Sequence, residues 1–143
     1  MAAESKATTS WEGDLAGGRG TTSTESGTLS EVEVTWPARV ERTADTTSPE
    51  ELLAAAHVAC YCMGLAHELG EAGNPPERLD ASATVGFVPG EGVKSSALTV
   101  TGRVPGIDAE IFRAAAEAAA EGCPISGALA GNVEISVEAS FEE

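Results

Sequence analysis

Two cysteines of this chain, Cys60 and Cys123, occupy positions where a thiol can become reactive. Cys60 lies within a long apolar run that is predicted to be helical, and Cys123 lies in a Gly-Cys-Pro segment where one predicted helix ends and another begins. A thiol at a helix N-terminus faces the positive end of the helix dipole, which lowers its pKa and favours the nucleophilic thiolate. Two thiols on rigid elements therefore suggest redox chemistry.

Each cysteine also has a structural interpretation. A free cysteine in an apolar helix is commonly a small core residue, and Cys123 could serve as a small buried helix cap. Cys62 follows Cys60 by two residues, which places it about 200° around the helix. The two thiols then face opposite sides and cannot form one site, so Cys62 is interpreted as structural.

Other chemistries are disfavoured by the spacing of the histidines and glycines. His57 and Cys60 share a helix face, but neither a C-x-x-C nor an H-x-x-x-H pair is present, so we expect no metal site with His67 or Cys123. A cysteine hydrolase would need His57 to reach the Cys60 sulfur from its own helix, a poor geometry for a general base. The glycine-rich segment 16–20 lacks the end of a phosphate loop, and no cofactor is expected.

The composition excludes several classes of partner. The net charge is −15, with only eight Lys and Arg residues, which argues against nucleic acid because a phosphate backbone requires clustered cations. We expect no membrane association, since no basic amphipathic segment is present and the apolar stretch 52–65 is short and interrupted. No signal peptide is expected at the N-terminus. A cytoplasmic protein, whose cysteines stay reduced, is therefore predicted.

Hydrophobic periodicity and turn residues predict an α+β fold in one domain, residues 1–143, with the element order βββ-α-ββ-α-α-β. Residues 1–8 are expected to form a flexible tail. The N-terminal strands should form a meander, and the next two strands a hairpin. The predicted strands are 8–14, 20–26, 29–40, 79–88, 93–104 and 133–141, and the predicted helices run from 49 to 70 or 73, from 109 to 121 and from 124 to 130.

The central helix has a well-marked start and an unusual surface. Ser48 is its predicted N-cap, Pro49 its first residue, and Glu51 completes a capping box. The middle of the helix is apolar all round, so we expect it to be buried on every side. Only six aromatic residues are present in 143, which suggests that association of subunits completes the core. A homodimer is therefore expected.

Five sequence blocks, in this order, resemble the OsmC/Ohr family, on the OsmC side. The resemblance covers almost the whole chain, and it implies an OsmC-like fold in an intertwined homodimer with long buried central helices. It also implies a thiol-dependent peroxidase that reduces organic hydroperoxides in oxidative or osmotic stress defence. The blocks are Trp-Glu-Gly-Asp at 11–14, Gly-Thr-Thr-Ser-Thr-Glu-Ser-Gly at 20–27, Ser-Pro-Glu-Glu-Leu-Leu-Ala-Ala-Ala-His-Val-Ala-Cys at 48–60, Val-Pro-Gly-Ile-Asp at 104–108 and Gly-Cys-Pro-Ile-Ser at 122–126.

The resemblance implies roles for individual residues. Cys60 corresponds to the peroxidatic cysteine and Cys123 to the resolving cysteine. Glu50 and an arginine from the N-terminal region complete the implied site. Arg39 matches the position of the arginine in the OsmC branch and is preferred, whereas Arg19 matches the arginine of the Ohr branch. Tyr61-Cys62 departs from the family pattern, which leaves the role of Cys62 open.

The residues fit this chemistry independently of the family. A peroxidase needs a thiolate and a cation that stabilises both the thiolate and the departing alkoxide. A carboxylate can orient the arginine in a bidentate pair, and a resolving thiol captures the sulfenic acid before a thiol reductant restores the enzyme. Four apolar residues are expected to line the site and to favour a hydrophobic peroxide: Leu52, Leu53, Met63 and Phe112. The alternative is a non-catalytic binding protein of the same fold with structural thiols.

Overall fold

The computed structural model describes all residues, 1–143, as an α+β chain with two three-stranded sheets and four helices. Two compact units divide the chain, residues 1–52 and 53–143. The predicted α+β class is confirmed, and one element is added to the predicted order. The elements are β1 (Ala7–Glu12), β2 (Arg19–Thr24), β3 (Val32–Val34), α1 (Trp36–Glu41), α2 (Pro49–Glu71), β4 (Arg78–Val88), β5 (Gly92–Arg103), α3 (Ala109–Gly122), α4 (Pro124–Leu129) and β6 (Glu134–Phe141).

The first unit contains the predicted meander, in which β2 pairs antiparallel with β1 and β3. Strand β1 begins at Ala7, so the tail is shorter than predicted. The prediction of a strand continuing to Val40 is wrong, because the chain turns into helix α1 at Trp36. The Thr35 side chain accepts a hydrogen bond from the Ala38 N–H at 3.1 Å, and Pro37 lies in the first turn, where its missing N–H costs nothing.

Helix α2 begins as predicted, with the Ser48 hydroxyl accepting a hydrogen bond from the Glu51 N–H at 3.1 Å. The second half of the capping box does not form, because the Glu51 carboxylate accepts a hydrogen bond from the Thr47 hydroxyl at 2.6 Å instead. The helix ends at Glu71, and Gly73 follows in the left-handed region at φ 88°. Only glycine adopts that conformation without a steric penalty, which explains the sharp stop.

Only one face of α2 is buried within the single chain, so burial on every side would require cover from outside the chain. His57, Tyr61, Leu65 and Leu69, spaced four residues apart, are all at most 3% exposed. Met63, on another face, is 75% exposed. The other faces stay exposed because the core of the second unit contacts the helix only along this stripe of residues.

The length and composition of α2 alone would allow it to cross a membrane, in contrast to the expectation from the interrupted apolar run. One such helix is weak evidence for a membrane span, since core helices of globular proteins meet the same criteria. One face of the helix contacts the core of the second unit. The Tyr61 hydroxyl donates a hydrogen bond to the Ala116 carbonyl of α3 at 2.8 Å.

The second unit is built on a sheet with the order β4-β5-β6. The predicted hairpin of β4 and β5 is confirmed, and β6 pairs parallel with β5 after the chain has crossed over through α3 and α4. Asp108 caps α3, accepting a hydrogen bond from the Ile111 N–H at 2.9 Å. The Phe112 ring of α3 lies directly against Gly102 of β5, where any β-carbon would collide with the ring. The absence of a side chain at Gly102 therefore allows α3 to pack closely against the sheet.

Candidate functional site

The two cysteines that sequence analysis singled out come together in the second unit. Cys60 lies on α2 and Cys123 is the N-cap residue of α4, and Cys60 packs against the buried core cluster that includes Cys123. Both are free thiols. Cys60 is partly exposed, whereas Cys123 is only 1% exposed. Each thiol therefore influences the ionisation of the other.

The surroundings of the two thiols differ, so that Cys123 loses its proton to form a thiolate more readily than Cys60 does. Burial raises the pKa of Cys60, and the Ile125 N–H only partly offsets this effect, while a Cys123 thiolate raises it further. Burial acts in the same direction on Cys123, but hydrogen bonds from the Ser126 N–H, the Cys60 thiol, the Ser126 hydroxyl and the Ile125 N–H outweigh it. The pKa of Cys123 is therefore lowered, as the position of Cys123 at a helix start predicted.

His57 makes a hydrogen-bond network that sequence reasoning missed. Its Nδ1 lies 2.6 Å from the Ser96 hydroxyl oxygen, and its Nε2 lies 2.8 Å from the Ser126 hydroxyl oxygen. All three side chains are buried, and desolvation lowers the pKa of His57, which favours the neutral imidazole. Ser126 stands three residues after Cys123, a local signal that was available, but Ser96 lies on a distant strand and could not have been found from spacing.

This network also bears on the alternatives considered from sequence. Both ring nitrogens of His57 are occupied by serine hydroxyls, which leaves neither to act as a general base towards Cys60. The geometry thus gives a cysteine hydrolase no support. No group of three or more His, Cys, Asp or Glu side chains comes together in a way that could hold a metal ion.

Arg39 and Glu50 form a bidentate ion pair in the first unit. The Arg39 Nε lies 2.8 Å from one Glu50 oxygen, and Nη2 lies 2.9 Å from the other. The Glu50 side chain is 8% exposed and that of Arg39 is 30% exposed. The guanidinium carbon of Arg39 also lies 5.9 Å from the centre of the Trp36 ring. Helix α1, which was not predicted, is the element that places Arg39 against Glu50.

Arg19, the alternative cation, is placed differently. It lies at the exposed start of β2 and makes no ion pair. Of the two arginines considered from sequence, the structure therefore pairs Glu50 with Arg39.

Two further expectations concern residues near the thiols. Phe112, expected to line the site, is 1% exposed in the core against Gly102, so it does not form part of an accessible wall. Burial, followed by the charge of Asp80, raises the pKa of Cys62. Cys62 thus favours the protonated form, as Cys60 does in the absence of a cation.

Comparisons with known proteins agree with the resemblance found in the sequence. Residues 42–138 match the family model described as OsmC-like protein. The chain is 39% identical over 138 residues to Peroxiredoxin OsmC of Escherichia coli strain K12, covering 94% of this chain and 96% of that protein.

Solved structures show the same fold. An organic hydroperoxide resistance protein from Elizabethkingia anophelis superposes with a TM-score of 0.76 at 26% identity, covering 99% of each chain. An OsmC-like protein from Mycoplasma pneumoniae gives a TM-score of 0.74 at 17% identity and covers 100% of both chains. At that identity the second likeness concerns the fold alone.

Proposed function

Because this chain belongs to the OsmC-like protein family, we propose that it is a thiol-dependent peroxidase that reduces organic hydroperoxides to alcohols in oxidative or osmotic stress defence. The observation that carries the proposal is that the partly exposed Cys60 packs against the core that buries Cys123, and that each thiol changes the pKa of the other. The family relationship supports a peroxidase-type activity, since relatives are named a peroxiredoxin and an organic hydroperoxide resistance protein.

In the first step, the Cys60 thiolate attacks one oxygen of the hydroperoxide. The O–O bond breaks, Cys60 becomes a sulfenic acid, and the alkoxide leaves and takes up a proton to give the alcohol. Cys60 is assigned this step because it is more exposed than Cys123. A peroxide can reach it without opening the core.

The first step gives the cation a specific task. Both burial and the Cys123 thiolate disfavour a negative charge on Cys60, so a positive charge must stabilise the Cys60 thiolate before it can attack. We assign this role to Arg39, held by Glu50 through two hydrogen bonds. A planar guanidinium remains charged and can also neutralise the alkoxide as it departs. Arg19 is the alternative source of the charge.

In the second step, the Cys123 thiolate attacks the sulfenic sulfur of Cys60. An S–S bond forms, the S–O bond breaks, and hydroxide leaves and is protonated to water. Capture by a neighbouring thiol protects the sulfenic acid from irreversible oxidation. A small or protein-bound dithiol then reduces the disulfide, and the reducing cytoplasm is the compartment that supplies such a reductant.

The test is consumption of peroxide by the purified protein with a dithiol reductant. We expect faster turnover of cumene hydroperoxide than of hydrogen peroxide, because a partly buried thiol on an apolar helix suits an apolar substrate better. The measurement is the loss of each peroxide over time at equal concentration. Failure to consume either peroxide would favour the alternative, a non-catalytic binding protein with structural thiols.

We also propose that two copies form a homodimer through the exposed part of α2. Ala55, Ala56, Ala59 and Met63 leave apolar surface uncovered within the single chain, and burying such surface favours association. We expect an interface of more than roughly 2,000 Å² and a dimer mass by light scattering at micromolar concentration. A stably folded monomer under those conditions would contradict the proposal.

A further inference from the structure

The buried His57 has no place in the peroxidase steps described above, yet both of its ring nitrogens are engaged. It is 0% exposed, as is Ser96, and Ser126 is 4% exposed. Burying three polar side chains in an alanine- and leucine-rich core costs free energy unless all of them are hydrogen-bonded. Here all three side chains are hydrogen-bonded, so the network can serve a task beyond packing.

The protons of this network can be assigned by elimination. Ser126 lies in the first turn of α4, three residues after the N-cap residue Cys123, and both are buried. When Cys123 is a thiolate, the Ser126 hydroxyl is the donor that stabilises it and lowers its pKa, and a hydroxyl carries only one proton to donate. Its oxygen must then accept from His57, so His57 is protonated at Nε2. A neutral imidazole with its proton on Nε2 accepts at Nδ1, and Ser96 therefore donates to that atom. The hydrogen bonds thus form a row in which Ser96 donates to His57, His57 donates to Ser126, and Ser126 donates to Cys123.

We propose that His57 is a positioning residue for the resolving cysteine: its Nε2–H holds the Ser126 hydroxyl in the orientation that donates a hydrogen bond to the Cys123 sulfur. Ser96 fixes the tautomer of His57 that makes this possible. Aligned hydrogen bonds polarise one another, so the row acts as a unit rather than as three separate contacts.

The proposal rests on the peroxidase function in one respect, namely that Cys123 attacks the sulfenic acid of Cys60. For that attack Cys123 must be a thiolate when the sulfenic acid forms. Hydrogen bonds to a charged group are the stronger kind, and losing the Ser126 donor should lower the thiolate fraction. Because nucleophilicity rises partly as pKa rises, a tenfold smaller thiolate fraction slows the attack by only about threefold.

The first experiment follows the ionisation of Cys123 alone and does not depend on catalysis. In a Cys60→Ser/Cys62→Ala background, Cys123 is the single thiol, and its ultraviolet thiolate absorbance can be titrated with pH. The other titratable group that interacts with Cys123 in this background is Tyr61, whose own pKa is raised by burial. We expect Ser126→Ala to raise the Cys123 midpoint by about one pH unit and Ser126→Thr, which keeps the hydroxyl, to restore it.

Variants of His57 separate positioning from packing. His57→Phe fills a similar volume but removes both hydrogen bonds, so it should also raise the Cys123 midpoint. His57→Gln retains an N–H group near the position of Nε2 and should shift the midpoint less. Ser136→Ala, at an exposed serine on β6, is the matched control and should leave the midpoint unchanged.

The second experiment measures single turnover in the chain with all three cysteines. Ser126→Ala should slow formation of the Cys60–Cys123 disulfide about threefold, while formation of the Cys60 sulfenic acid, trapped by dimedone, stays within about twofold. If Ser126→Ala and His57→Phe both titrate like their parent, the network only packs the core and the proposal is overturned. If the midpoints shift but no peroxide is consumed, the positioning role stands and the peroxidase function fails.

Discussion

Replacing Cys60 with serine is expected to reduce peroxide consumption by at least about 10³-fold, because removing a catalytic nucleophile leaves only the residual effect of binding. A serine hydroxyl is a far weaker nucleophile than a thiolate and cannot form a sulfenic acid. The measurement is steady-state loss of cumene hydroperoxide with a dithiol reductant. Cys62→Ser is the matched control and should retain nearly full activity, since Cys62 lies about 200° around the helix from Cys60 and faces another side.

The companion variant Cys123→Ser distinguishes the two thiol roles. It should still form a sulfenic acid on Cys60 once, but it should not form the intramolecular disulfide. In the unmodified protein, mass spectrometry after one equivalent of hydroperoxide should find a Cys60–Cys123 link, since each thiol already influences the ionisation of the other. A dominant bridge containing Cys62, or a first oxidation on Cys123, would contradict the assignment.

Replacing Arg39 with alanine is expected to lower peroxide turnover by at least about tenfold, since loss of one charged donor at such a site typically costs about 10²–10³ in rate. Without a cation, burial and the Cys123 thiolate keep Cys60 protonated, and the departing alkoxide is not neutralised. Arg39→Lys should rescue activity only partly, because an ammonium group cannot form the two-pronged contact with Glu50. The measurement is the rate of Cys60 oxidation in a single turnover.

Two controls protect this prediction from effects on folding. Arg39→Ala leaves the buried Glu50 carboxylate unpaired, which destabilises a protein, so the double variant Arg39→Ala/Glu50→Gln should regain thermal stability without regaining activity. Arg42 serves as the control arginine. Arg42 is exposed, and its backbone adopts the left-handed conformation at φ 59°. Asparagine tolerates that conformation better than alanine does, so the control variant is Arg42→Asn, which should retain wild-type turnover. If Arg39→Ala turns over peroxide at the wild-type rate and Arg19→Ala does not, the catalytic cation is Arg19 and the assignment to Arg39 is wrong.

Local patterns in the sequence were sufficient for most of the fold. Helix α2 begins at Pro49 because Ser48 caps it, α3 begins after the cap Asp108, and alternation of apolar and polar residues predicts β6. Each of these signals acts over a few residues, so no knowledge of the tertiary structure is needed. Two local signals compete where the predicted strand 29–40 was wrong. The alternation around Val34 favours a strand, whereas Thr35 caps helix α1, and the prediction followed the alternation.

The candidate site divides in the same way. The cysteines and Glu50 were predicted from sequence blocks, and the helical position of Cys123 predicted its lowered pKa. The tertiary structure alone decided that charge favours Cys123 over Cys60, that Arg39 rather than Arg19 pairs with Glu50, and that His57 lies between Ser96 and Ser126. Desolvation and hydrogen bonding depend on which groups surround an atom, and those groups come from segments far apart in the chain.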